Sequence, residues 1–188
     1  MAEDFELLDK IKKGDLQAFE EIVKKYKMNV FNTIYSVMGN IQDADDIMQD
    51  VFIKVYNTIG KFKGQSSFST WLYRITVNKC IDEIRKRKNK FLSYESELSD
   101  EEIFKLKNVI SDEAIDIIDE LRKKEIEEIL RKTIDLLPEK FRIVLTLREI
   151  DNLSYKEISD VMNVSVNRVK ILLFRARQKL KEKLKNVL

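Results

Sequence analysis

Four glycines and one proline leave this 188-residue chain few places to turn. Strands need frequent tight turns, and tight turns draw on Gly, Pro and Asn-Gly pairs. Leu, Ile, Lys and Glu abound instead, so an all-α fold is expected. The single proline, Pro138, follows Leu137 and suits the first turn of a helix. A hydrophobic content of 44% supplies real cores, for one domain or two small ones.

Periodicity places the helices. Leu16, Phe19, Ile22, Val23, Tyr26, Val30, Phe31, Ile34 and Met38 recur at helical spacing, predicting a helix over 16–38. Gly14 and Asp15 mark its start and Gly39-Asn40 its end. A second helix is expected from about Ile41 to Ile59, with Asp43, Asp45 and Asp46 near its N-terminus, where carboxylates suit the helix dipole. Gly60 to Ser67 reads as a polar loop, and a third helix should run from Phe68 or Ser69 to about Lys88. The stretch from Phe91 to about Ile118 is acidic and short on periodicity, so it reads as a linker. Regular patterning resumes over Leu121 to Leu137 and Pro138 to Ile150. Two small helical domains, 1–92 and 121–188, joined by an acidic linker at 93–120, are expected to behave as loosely related units on a tether.

Leu153 to Lys170 reads as two short helices around a tight turn. Ser154 and Glu157 fit the S-x-x-E capping box. Ile158, Val161 and Met162 share one face. Asn163 tolerates the left-handed backbone of a helix end, and Ser165 is a good cap for the second helix. Val166, Val169 and Leu173 should face inward, which leaves Asn167, Arg168, Lys170, Ile171, Phe174 and Arg175 on or beside the outer face. This is the layout of a helix-turn-helix that places one helix in a DNA major groove. A plain helical hairpin with a solvated basic end is the alternative.

The net charge of +2 conceals the charge distribution. Arg74 to Lys90 holds seven basic and two acidic residues, and Ser165 to Leu188 eight basic and one acidic. Between them, Ser93 to Glu120 holds ten acidic and two basic. Two basic patches therefore flank an acidic segment. The start, Met1 to Ile11, is charged, and no apolar run approaches a membrane span. One cysteine, Cys80, forms no internal disulfide and fits a reducing cytoplasm.

No catalytic arrangement emerges. Without histidine there is no Ser-His-Asp or Cys-His set, and a zinc site is not expected. No cofactor is expected, and no metal at the Asp43, Asp45, Asp46 and Asp50 cluster, which lacks the loop of a calcium hand. That cluster reads better as a surface. Asp46, Gln49, Asp50 and Phe52 lie within one broad face, with no basic residue between Val37 and Ile53. Such a face suits an Arg-rich protein partner, although on charge alone a solvated face fits better. Residues 62–90 mix Phe62, Phe68, Trp71 and Tyr73 with Arg74, Asn78, Lys79, Arg85, Lys86, Arg87 and Lys88. Aromatics among cations, beside a polar loop, can hold unstacked bases and track a backbone. Core packing is the competing use of the aromatics, and the better one for Trp71.

Taken together the motifs resemble the extracytoplasmic-function (ECF) sigma factors of the sigma-70 family, over nearly the whole chain. Ala18-Phe19-Glu20-Glu21-Ile22 with Tyr26 is similar to the family's opening helix. Asp43 to Phe52 resembles the helix that grips the RNA polymerase clamp, and Phe68 to Asn78 the promoter −10 segment. Leu136 to Arg142 and the helix-turn-helix ending Phe174-Arg175-Ala176-Arg177 resemble the −35 domain.

The resemblance implies a promoter-specificity factor with no enzymatic activity. It implies core polymerase contacts, on clamp and flap, with Asp46, Gln49, Asp50 and Phe52 on the clamp. Lys61, Lys63, Gln65 and Ser66 of the loop would receive a flipped base. Arg74, Asn78 and Lys79 would hold the melted −10 strand, with Arg85 and Lys86 further along the same helix. Lys170, Ile171, Phe174 and Arg175 would read or flank the −35 element, beside Asn167, with Arg168 and Arg177 on phosphates. It also implies an anti-sigma factor, often membrane-bound. Asn167-Arg168 and Ile171 stand where many relatives carry small residues, which bears on the −35 sequence read. A free-standing helix-turn-helix repressor, or a helical adaptor without DNA, would leave the acidic face or the basic patches without a role.

Overall fold

The computed structural model describes residues 2–95 and 129–185, and every regular element among them is helical. Helix α1 spans Ala2–Lys12 and α2 spans Leu16–Met38. Asp15 caps α2 by accepting from the N–H groups of Gln17 and Ala18 at 2.9 and 3.1 Å. Gly39 ends it in the left-handed region, at φ +76°, and its N–H returns to the Tyr35 carbonyl at 2.8 Å. Asn40 then caps α3 (Ile41–Thr58) by accepting from Asp43 N–H at 3.1 Å. A 3-10 turn, Ile59–Lys61, leads into the polar loop. Helix α4 spans Phe68–Glu95, opened by Ser67, whose hydroxyl accepts from Thr70 N–H at 3.1 Å.

These helices close around one core. Ile22, Val30 and Ile34 of α2 meet Val51 and Val55 of α3 and Leu72 and Val77 of α4, all essentially without solvent exposure. Burying each such side chain contributes about 1.5–3 kcal/mol. Phe62, Phe68 and Trp71 add an aromatic cluster at the loop end, with centroids 5.3 to 6.0 Å apart.

The second unit begins with a helical segment, α5, at 129–135. Helix α6 (Glu139–Leu145) starts after Pro138 and runs into a π-helical turn, Thr146–Ile150. The wide turn closes with Asp151 N–H on the Thr146 carbonyl at 3.0 Å and Leu153 N–H on Leu147 at 2.9 Å. Helix α7 (Tyr155–Met162) carries the expected capping box: Ser154 and Glu157 satisfy each other's N–H groups at 3.2 and 2.9 Å. Asn163 is left-handed, at φ +52°. The Ser159 hydroxyl donates to the Val164 carbonyl at 2.6 Å and clamps the turn. Ser165 accepts from Arg168 N–H at 3.2 Å, opening α8 (Val166–Lys185). Val169, Leu172, Leu173 and Ala176 of α8 are buried.

Two expectations need correction. Helix α4 continues to Glu95, past the expected boundary at 92; of the linker expected at 93–120, the stretch from 96 onward lies outside the described residues, as does 121–128 of the next expected helix. More consequentially, the two units are not loosely related, because they pack on each other. Helix α7 lies on α4, and the π-helical turn lies on α2. The Thr33 hydroxyl contacts both Asp151 carboxylate oxygens, at 2.9 and 3.1 Å. Arg74 Nε donates to the Asp160 carbonyl at 2.9 Å, and Lys88 pairs with Glu139 at 3.5 Å. The polar linker carried no information about these complementary surfaces.

Candidate nucleic-acid interface

Helix α8 presents the first surface. The caps at Ser154, Asn163 and Ser165 fix its angle to α7, and its apolar stripe anchors it. Asn167, Arg168, Lys170, Ile171, Phe174, Arg175 and Arg177 are all left exposed. Ile171 and Phe174 are 44% and 64% exposed, apolar groups standing among cations. Arg177 alone of the seven has a described ion-pair partner within the fold, Glu149 at 2.6 Å. Its hydrogen bond to Glu149 raises the guanidinium above its ordinary pKa.

The second surface, on α4 and the preceding loop, is divided. Lys61, Lys63 and Gln65 are open to solvent, and Gly64 takes a left-handed backbone at φ +70°. Ser66 is half-buried and donates to the Ser67 carbonyl at 3.3 Å. The residues on α4 are partly engaged. Arg74 reaches across to α7, while Asn78 and Arg85 line a cleft of about 470 Å3 shared with Glu139 and Met162. Lys79 pairs with Asp50 at 2.7 Å, and Lys86 with Glu83 at 3.3 Å. The aromatics of this segment are core residues: Phe62, Phe68 and Tyr73 are only 5%, 4% and 7% exposed, and Trp71 is half-buried against the two phenylalanines. On α4, helical spacing turns Phe68, Trp71 and Tyr73 toward the core while Arg74, Arg85 and Lys86 stay outside.

The third surface is on α3. Asp46, Gln49 and Asp50 are exposed on one face, continued by Ile53. Phe52 does not join them; it points inward and is 8% exposed. Asp43, one turn earlier, is held by Arg87 at 2.7 Å, and that hydrogen bond lowers its carboxyl pKa.

Three residues at these surfaces drew no attention in the sequence. Asp151 reads there as an ordinary loop residue after Ile150. In the fold, burial pushes its carboxyl up to about 6, against the lowering effect of hydrogen bonds from Thr33 and Tyr73. Lys12 and Phe5 lie in a segment legible only as charged. Lys12 Nζ donates to the Phe62 carbonyl at 3.0 Å.

Both units have recognisable counterparts. Residues 22–90 match the Sigma-70 region 2 family and residues 127–180 match Sigma-70, region 4. The chain is 35% identical over 180 residues to the ECF RNA polymerase sigma factor SigW of Bacillus subtilis, covering 96% of each. It is 35% identical over 190 residues to the RNA polymerase sigma-H factor of Pseudomonas aeruginosa, covering 99% of this chain and 96% of the other. The ECF RNA polymerase sigma-E factor of Escherichia coli is 34% identical over 181 residues, covering 94% and 92%. Among solved structures, CnrH in complex with the cytosolic domain of CnrY superposes with TM-score 0.70 at 23% identity over 98% of both chains. RpoE in complex with the anti-sigma factor NepR from Bartonella quintana gives 0.67 at 19% identity, over 89% of this chain and 96% of the other. These two likenesses establish the shared fold. The sequence relationships run through both helical units at once, and on them the chain belongs to the ECF RNA polymerase sigma factors of the sigma-70 family, transcription initiation proteins that are not themselves enzymes.

Proposed function

We propose that this sigma factor divides promoter recognition and polymerase binding among the three surfaces. Asp46, Gln49 and Asp50 of α3 meet the clamp of core polymerase, with Phe52 supporting their helix from beneath. The second unit meets the flap. Helix α8 enters the −35 major groove: Lys170 and Arg175 reach base edges, Ile171 and Phe174 supply apolar contact, and Asn167, Arg168 and Arg177 flank them on the backbone. A good bidentate base contact there discriminates by roughly 1–3 kcal/mol. The loop residues Lys61, Lys63, Gln65 and Ser66 hold a flipped base of the −10 element. Arg74, Asn78, Lys79, Arg85 and Lys86 track the same strand, so melting is driven by capture of unstacked bases.

The observation that carries this reading is α8 itself: a recognition helix fixed by three caps, with an exposed face of cations and two apolar side chains. The contact of Arg74 with α7 adds a requirement, that the two units separate before α4 can follow a strand. An anti-sigma factor that stabilises the packed state is the regulator this arrangement suits. The functional units are the helical domain that ends with α4 at Glu95 and the helix-turn-helix domain, with the acidic segment between them directed to the polymerase channels. No described helix is long and apolar enough to cross a membrane. The protein works in the cytoplasm, where its polymerase is.

Titration into core RNA polymerase over a pool of genomic promoter fragments tests the proposal, with a no-polymerase control. Two-element footprints that appear only with polymerase are expected. Footprints from the protein alone, unchanged by polymerase, would instead identify a free-standing repressor.

A further inference from the structure

The loop between α3 and α4 needs a flat apolar surface if it is to hold an unstacked base, because base-aromatic stacking is the sequence-tolerant part of single-strand binding. Phe62, Phe68 and Tyr73 are too deeply buried to provide it, and Trp71 packs against the first two. A different ring is available. Phe5 of α1 stands 58% exposed beside the loop. Its Cε1 and Cζ lie 3.6 and 3.9 Å from where a Cβ on Gly64 would be.

The helix that carries the ring is anchored on both sides of it. One residue away, Asp4 accepts hydrogen bonds from Lys25 at 2.8 Å and Tyr26 at 2.9 Å. Leu8 and Ile11 of α1 are buried, 2% and 5% exposed. Helix α1 therefore spends its inner side on the core and holds Phe5 out at the loop. Between them lies a pocket of about 220 Å3, lined by Phe5, Leu8, Asp9 and Lys12 of α1 and by Phe62, Lys63 and Gly64 of the loop. Its electrostatics suit a nucleotide. Lys12 sits 6.0 Å above the Phe62 ring, and Lys63 is exposed at the rim. The one acidic group in the lining, Asp9, is paired with Lys13 at 2.6 Å.

We propose that Phe5, with Lys12 and Lys63, forms a nucleobase subsite in which one unpaired base of the promoter strand stacks on the exposed part of the Phe5 ring, beside Gly64. The subsite rests on the reading of the 61–66 loop as a contact for melted DNA, and it makes α1 part of the strand-binding surface. Phe5 is then a binding residue that no part of the helix-turn-helix or α4 can replace.

The test uses the full-length protein assembled with core polymerase and a fluorescent single-stranded DNA of randomised sequence, read by anisotropy. Phe5→Leu keeps apolar cover over Gly64 but removes the ring; it is expected to weaken binding roughly 5- to 150-fold, the range for one lost stack. Phe5→Trp is expected to bind as the unaltered protein does. Both should melt at the unaltered temperature, since the ring is mostly in solvent. A Lys61→Ala, Lys63→Ala variant tests the loop independently. If Phe5→Leu binds normally while the lysine variant is weakened, the subsite is overturned and the loop reading stands. If neither variant is weakened, the loop reading falls and the subsite with it. If Phe5→Trp is weakened as much as Phe5→Leu, stacking is not the interaction and the subsite is overturned.

Discussion

Lys79 of α4 and Asp50 of α3 face each other across 2.7 Å, joining the two surfaces proposed for DNA and for polymerase. Asp50 lies on the face proposed for the polymerase clamp, Lys79 on the surface proposed for the melted strand. In the free protein each occupies the other. A clamp residue that claims Asp50 would release Lys79 for DNA. Asp50→Ala should therefore weaken core binding and strengthen single-strand binding by the isolated protein, by roughly 1.5- to 5-fold for a pair worth ~0.2–1 kcal/mol at this exposure. Anisotropy with a labelled oligonucleotide measures the second effect. Unchanged single-strand affinity would exclude Lys79 from the DNA contact.

Asp151 makes the packing of the two units depend on pH. Thr33 and Tyr73 donate to its carboxylate from the other unit, and burial holds its pKa at about 6, above the ordinary 3.8. The packed state thus binds the proton more tightly than a separated state with solvated Asp151. Its stabilisation from this group is complete below about pH 4 and is lost as pH rises through about 6, by at most ~3 kcal/mol. Small-angle scattering between pH 5 and 8 should show the unaltered protein expanding as pH rises. Asp151→Asn, which keeps the protein neutral at this point, should remain compact throughout. A pH-dependent expansion that survives in the Asn variant would place the switch elsewhere.

Gln49 and Phe52 lie three residues apart on α3 but have different surroundings. Phe52→Ala should cost about 3–5 kcal/mol of stability, as for a buried ring removed from a packed core. Gln49→Ala should change stability by about 0.5 kcal/mol or less, yet still weaken binding to core polymerase when combined with Asp46→Arg. Denaturant melts and a core-binding titration separate the two effects. Full-strength core binding by a folded Asp46→Arg, Gln49→Ala protein would refute the clamp assignment.

On α8, Lys170→Ala with Arg175→Ala should leave the melting temperature unchanged, because both side chains are exposed. Loss of about 1–3 kcal/mol for each base contact predicts at least a tenfold drop in −35-dependent transcription. Polymerase binding should be retained. Unaltered transcription from a −35-dependent promoter would show that α8 is not the reader.

The helix-turn-helix was legible in the sequence because its determinants are local. Ser154 finds Glu157 three residues on, Asn163 tolerates its own backbone, and Ser165 caps the helix that begins beside it. The cap of α2 at Asp15 and its end at Gly39 are equally local. The aromatic positions were less legible. Phe62, Phe68 and Tyr73 looked like partners for bases because cations stand beside them in the chain, but Phe68 and Tyr73 turn to the core from α4 while its cations stay outside, and Phe62 is buried in the loop before that helix. Phe5 was not legible at all, because its segment shows only charge in the sequence. It is exposed because Leu8 and Ile11 turn to the core while Phe5 lies outside it, beside Gly64 of the loop.

The sequence by itself determined α2, α3, most of α4, the helix-turn-helix with its caps, the exposed basic face of α8 and the family, since each depends on neighbours within a few residues or on motifs in order. Only the tertiary structure decided that α7 lies on α4, that Asp151 meets Thr33 across 118 positions of chain, and that Lys79 is held by Asp50. Those relationships depend on surfaces that become complementary after the helices have packed, and no local pattern of residues encodes them.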